Sequence, residues 1–156
     1  MMKIPAPRQL LLTHAFATAA MSGVIWQVQL LTYPQFLRVG ANEFPAYHQA
    51  HTEGISLLVG PLMLAELALA IAASWQLRKD KHLPLLVANA LLLLGIWLCT
   101  VLWQVPLHEE LATARSEPLI RELIASNWLR TLLWTARSLL LFRWLSAIHS
   151  QTDKGA

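Results

Sequence analysis

The sequence predicts an all-α integral membrane protein, an antiparallel four-helix bundle with both termini cytoplasmic. Three observations lead there. The chain is 56% apolar and only 13% charged over 156 residues, whereas a soluble domain carries about 25% charged residues. Four stretches are long enough to cross a bilayer, which takes about 20 apolar residues. The basic residues between those stretches divide unequally over the two sides.

The four spans form one domain, residues 1–156. The first span is Leu10 to Leu31, LLLTHAFATAAMSGVIWQVQLL. Its apolar run is longer than the roughly 7–15 residues of a signal-peptide core, and no small-residue cleavage site follows it. It reads as a retained helix. Ala15, Ala19 and Gly23 form a small-residue stripe that would let a neighbouring backbone approach closely. The second span is Gly54 to Trp75, with Pro61 as a kink. The third, Leu83 to Val105, has no charge at all. The fourth, Asn127 to Ile148, is interrupted by Arg130, Arg137 and Arg143. Trp75, Trp103, Trp128 and Trp144 fall near span ends, where aromatic rings favour the interface.

Between spans, Tyr33 to Glu53 carries Pro34, Gly40 and Pro45 and reads as a loop with a helical lead-in. His108 to Ser126 contains Pro118 and the periodic run LIRELI, which reads as a short surface helix. Lys3, Arg8, Arg78, Lys79, Lys81 and Lys154 lie on one side of the membrane. Arg38, Arg115 and Arg121 lie on the other, among acids. The richer side is cytoplasmic by the positive-inside rule. The net charge of +3 comes without a basic patch, so nucleic acid is excluded as a partner. A single cysteine, Cys99, allows no internal disulfide and no Cys-x-x-Cys site.

Polar side chains at membrane depth are costly, so each needs a partner. On a helix turning about 100° per residue, His48, His51 and Glu66 share one face, and Glu53 does not. Glu66 lies about 22 Å beyond His51, too far to share a site with it. Asn127, Arg130, Trp134 and Arg137 fall on one stripe of the fourth span. Arg143 lies off the stripe and can snorkel to the headgroups. Arg137 is about 15 Å below Asn127, and Glu66 about 18 Å below Gly54. At these similar depths the two can form a buried ion pair. That pair serves either helix packing or proton handling.

His48, His51 and His108 fall at one external mouth, with Tyr33, Asn127 and Arg130 at the same level. His14 is near the other end of the first span. Two readings of the mouth stand side by side. In one, the three imidazoles hold a zinc, iron or copper ion or a haem, with Glu109 as a further ligand. In the other, they are hydrogen-bonded histidines of a polar vestibule. No contiguous His-Glu-x-x-His motif is present.

Five pieces together carry a resemblance: YPQF from Tyr33, FPAYHQAH from Phe44, GPLMLAEL from Gly60, VPLHEEL from Val105 and NWLRTLLWTAR from Asn127. In this order they resemble a group of small bacterial four-helix membrane proteins, which is similar to the anthrone oxygenase-like family. The resemblance implies a multi-pass protein of the bacterial inner membrane. It also implies oxidation of a polycyclic aromatic carbon without a bound cofactor. Where that family commonly has an Asn soon after the proline ending span three, this chain reads Pro106-Leu107-His108.

The functional expectation is an oxidoreductase acting on an apolar aromatic or quinone-like compound at the external mouth. His48, His51 and His108 are its ligands or acid–base groups. Arg130 stabilises developing negative charge. Tyr33, Asn127 and Trp134 contact the substrate. The alternative is a non-catalytic membrane protein that binds a lipid, a metal or a partner helix. The bilayer is the partner in both. The sequence fixes neither cofactor nor oligomeric state.

Overall fold

The computed structural model describes residues 7–78 and 82–153. Among these residues every element is helical. Helix α1 is Pro7–Gln27 and leads through a π-helical segment, Val28–Thr32, into α2, Tyr33–Phe36. Helix α3 is Phe44–Gln76. Helix α4, Leu83–Cys99, runs through a second π-helical segment, Thr100–Gln104, into α5, Val105–Leu111. Helix α6 is Glu117–Asp153.

Prolines set these boundaries. Pro34, Pro45, Pro84 and Pro106 each occupy the first turn of a helical segment, and Pro118 is the second residue of α6. The fixed φ suits the helix, and at Pro45, Pro84 and Pro118, which begin helices, the missing N–H costs nothing. Pro34 and Pro45 therefore do not mark a loop, as the sequence reading had them. The first connection shrinks to residues 37–43, and LIRELI becomes the opening turns of α6 rather than a separate surface helix. Pro61 lies within the unbroken α3.

Pro34 and Pro106 also account for the π segments. Neither can donate to the carbonyl four residues back. The preceding residue bonds five back instead: Tyr33 N–H to Val28 O, and Val105 N–H to Thr100 O. Each helix thus widens by one residue and continues. Such π bulges recur at functional sites.

Three continuous stretches are long and apolar enough to cross a membrane: Arg8–Phe36, Phe44–Gln76 and Leu83–Leu111. Helix α6 is not among them, because its arginines lower its apolarity. The basic residues Lys3, Lys79, Lys81 and Lys154 lie outside the described residues. Much of the outer surface is apolar, including Phe16, Leu57, Ile71 and Leu102.

Helix α6 is the hub, packed along both α1 and α4. Partners of α1 fall along α6 as numbers rise along α1. Ser22 bonds Ser138 at 2.7 Å, Trp26 bonds Thr135 at 3.0 Å, and Gln29 bonds the Ile124 carbonyl at 3.1 Å. The expected small-residue stripe is only partly an interface. Ala15 is buried, but Gly23 is exposed, and a Cβ added there would meet nothing within 4 Å. Small residues instead pack at Ala17, Ala70 and Ala73. Trp75, Trp103 and Trp128 are exposed, whereas Trp144 is buried and faces the His82 ring at 5.6 Å. That removes Trp144 from the interfacial set.

One apolar cluster surrounds the π segments with Met21, Ile25, Val28, Phe36, Phe44, Ile96 and Leu107. A second, at the other end, holds Leu10, Leu11, Leu77, Leu86 and Leu141. The polar side chains lie between and beside them.

Candidate functional site

The two π segments and the start of α3 bring the outer polar groups together. His48 Nε2 faces His108 Nδ1 at 2.9 Å, and His108 Nε2 faces the Tyr33 hydroxyl at 3.0 Å. Tyr33 and His48 are buried. The His51 ring stacks on His108 at 5.8 Å and meets Phe36 edge-on at 5.0 Å. Phe44 stacks on His48 at 5.6 Å. The histidines are thus held by rings on both sides.

Gln104 fixes the far end of this chain. Its amide nitrogen donates to Ser126 Oγ at 2.8 Å, and Ser126 Oγ donates to the Leu123 carbonyl at 3.3 Å. The Gln104 oxygen is therefore turned to the Tyr33 hydroxyl, at a weak 3.5 Å. A neutral imidazole carries one donor and one acceptor. The series can then run in two directions. Either Tyr33 donates to His108 and His108 to His48, or His48 donates to His108, His108 to Tyr33 and Tyr33 to Gln104. The two differ in the tautomer of both imidazoles, so passing from the first to the second takes a proton in at Tyr33 and a proton out at His48 Nδ1. That makes the series a short proton relay.

A cavity of about 220 Å³ opens onto this relay. Its walls include Ile25, Val28, Ile55, Val59 and Met63, and its polar groups include Tyr33, Gln104, His108 and Arg130. An apolar pocket with a few convergent polar groups is the usual form of a small-molecule site.

Arg130 is oriented from behind. Its guanidinium donates to Asn127 Oδ1 at 3.0 Å, Asn127 donates to Gln29 Oε1 at 2.8 Å, and Gln29 donates to the Ile124 carbonyl. Arg130 also lies over the Trp134 ring at 5.2 Å, a cation–π contact. Asn127 and Trp134 do not line the cavity. Both are fully buried. They form a supporting layer beneath Arg130 rather than part of the cavity wall. They share its helix face, but they sit deeper.

The metal reading of the histidines finds no assembled site. Among the described residues no group of three or more His, Cys, Asp or Glu is placed to hold an ion. His48 Nε2 and His108 Nδ1 are turned to each other rather than to a common point. Glu109 is exposed. A zinc shell needs four ligands at about 2.0–2.2 Å.

A second polar cluster lies deeper. Arg137 and Glu66 form an ion pair with both side chains fully buried. Around it, Arg137 Nε donates to Asn89 Oδ1 at 2.9 Å, and another guanidinium nitrogen donates to His14 Nε2 at 2.7 Å. Trp134 Nε1 donates to Glu66 Oε2 at 3.0 Å. The expected pair is thus one part of a five-residue network. His14, remote from the outer histidines, belongs here, and Asn89 was not anticipated. Both are polar residues inside apolar runs, and the cost of placing them there was the available signal. The same signal marks Gln29 and Gln104.

Outside these spans, Arg121 pairs with Glu117 at 2.6 Å on the exposed start of α6. Arg121 hydrogen-bonds the Glu117 carboxyl and holds it below the usual carboxylate range. The Arg115 guanidinium donates to the Leu37 carbonyl at 3.0 Å and ties the two connections on this side together.

No family model, curated protein or solved structure matches this chain.

Proposed function

We propose that this chain is an antiparallel four-helix bundle of the bacterial inner membrane, with both termini cytoplasmic. In this reading it works as a small oxidoreductase on an apolar aromatic or quinone-like compound. The fourth span is α6. Its arginines at 130 and 137 are turned inward, and Leu129, Leu132, Leu139 and Phe142 remain exposed to face lipid. The opposed order of partners along α1 and α6 supports the antiparallel arrangement.

The observation that carries the functional reading is the Tyr33–His108–His48 relay at the wall of an apolar cavity. A hydroquinone in that cavity gives a proton to His108, directly or through the Tyr33 hydroxyl. His48 takes up the proton displaced from the other ring nitrogen. Arg130 stabilises the resulting anion. Two electrons and both hydroquinone protons, one of them returned from the relay, pass to an external acceptor, with dioxygen as the acceptor that the family resemblance implies. The quinone and hydrogen peroxide are then the products. Binding, proton removal and charge stabilisation are the parts supplied by this chain.

The test uses purified protein with a naphthohydroquinone in air, following oxygen uptake and quinone absorbance. His108→Gln lowers the rate by roughly 10²–10⁴-fold if the imidazole is the proton acceptor. A wild-type rate equal to that of empty detergent micelles rejects the reading.

The non-catalytic alternative has its own observation. A groove of about 510 Å³ runs between α3 and α4, walled by Leu67, Ile71, Leu93, Leu94 and Trp97. Arg78 stacks on Trp75 at 4.7 Å beside it. A lipid chain with its headgroup at Arg78 fits that groove. Co-purified lipid, with no turnover, would favour this reading.

A further inference from the structure

We infer that the Arg130 cavity takes its ligand as an oxyanion: an apolar body bearing a carboxylate or an ionised phenolic hydroxyl. The inference rests on the reading of this cavity as a ligand site, but needs no redox chemistry. It starts from a charge with no partner. Arg130 is only 5% exposed. Among the described residues the ion pairs are Arg121–Glu117 and Arg137–Glu66, and Arg130 has no carboxylate. The ionisable groups that face it are the Tyr33 hydroxyl, the Cys99 thiol and the His108 imidazole. None of these is a carboxylate.

A buried guanidinium without a counter-ion is costly. Its hydrogen bond to Asn127 and the face of Trp134 offset only part of that cost. Its Nε is buried with no hydrogen-bond partner. The orienting chain Ile124–Gln29–Asn127 fixes the guanidinium from one side. The other side is a wall of the cavity, beside Tyr33 and His108. A guanidinium so presented matches a planar oxyanion, to which it can donate two parallel bonds. Arg137, seven residues further on, shows the contrast: its charge is met by Glu66.

Tryptophan fluorescence titration of the full chain in detergent tests this at pH 7 with naphthalene, 1-naphthoate and a low-pKa nitronaphthol. The two anions are expected to bind at least about tenfold tighter than naphthalene, the worth of a hydrogen bond to a charged group. Naphthoate and naphtholate distinguish the carboxylate from the phenolate source. Arg130→Gln removes the preference, so that naphthalene and the two anions bind alike. Arg130→Lys retains part of it. Arg130→Gln also leaves the thermal midpoint unchanged or raised, because it deletes an uncompensated charge, so a folding defect is separable from lost binding. Naphthalene binding as tightly as the anions, or a preference that survives Arg130→Gln, overturns the inference and spares the ligand site. No binding by any probe overturns both.

Discussion

Replacing either member of the Glu66–Arg137 pair strands a charge in the middle of the bundle. With Glu66→Gln, Arg137 keeps its bonds to Asn89 and His14 but loses its counter-ion. With Arg137→Gln, the Glu66 carboxylate keeps only the Trp134 indole, and Asn89 and His14 each lose a donor. Breaking a buried pair costs about 3–5 kcal/mol, and each orphaned neutral acceptor about 1–3 kcal/mol more. Arg137→Gln should therefore be the worse of the two. At roughly 2–4 °C per kcal/mol for a chain of this length, the broken pair alone lowers the thermal midpoint by about 6–20 °C, and Arg137→Gln lowers it further. The double change Glu66→Gln with Arg137→Gln removes both charges, and its amides can bond each other. It should be better tolerated than either single change. The assay is thermal unfolding in detergent, followed by tryptophan fluorescence and checked by the folded fraction on size exclusion. Losses that add to within about 0.5 kcal/mol would refute the coupling.

Tyr33→Phe keeps the His48–His108 bond and costs only about 0.5–1.5 kcal/mol of stability. His108→Gln breaks both bonds of the relay, so the two variants should separate in turnover more than in thermal midpoint. Chelator treatment should leave the midpoint unchanged and elemental analysis should find no stoichiometric metal, because two imidazole nitrogens are engaged with each other; a large midpoint drop with EDTA would restore the metal reading. Reporter fusions at Lys81 and Ala156 should read cytoplasmic and one at Ala41 external; an external signal at Lys81 inverts the bundle and moves the relay to the inner face.

What the sequence disclosed followed from local rules. Apolar runs located three helices, and the cost of buried charge singled out Glu66 and Arg137 without a structure. The spacing of His48 and His51 gave their shared face. What it hid depended on how helices turn toward one another. Nothing local to His14 says that it meets a residue more than 120 positions away. The same holds for Asn89. In the fourth span Asn127, Arg130 and Trp134 share a stripe, yet only Arg130 reaches the cavity, which a stripe alone does not disclose. The π segments were legible in part, since Pro34 and Pro106 forbid the normal bond. Whether a helix then ends or widens by one residue depends on what packs around it. Here Phe36 and Leu107 are drawn into the core, and the chain stays helical.

The two buried arginines of α6 set the protein's internal logic. Seven residues apart, they fall within about 20° of the same face and about 10 Å apart along the axis. A bundle selected for packing alone would treat them alike, since each raises the cost of inserting the helix. Instead Arg137 is closed in by three partners, one of them anionic, and Arg130 is held from behind and left open in front. Trp134 joins the two sites, donating to Glu66 while its face supports Arg130. The deep network therefore fixes the rotation of α6. That rotation holds the uncompensated guanidinium beside the proton relay of Tyr33, His108 and His48. Loosening the deep pair should degrade ligand affinity at the outer cavity as well as stability. A double Glu66→Gln, Arg137→Gln protein that folds should bind naphthoate more weakly than wild type while keeping its preference for the anion. Wild-type affinity in that variant would show that the two sites are independent.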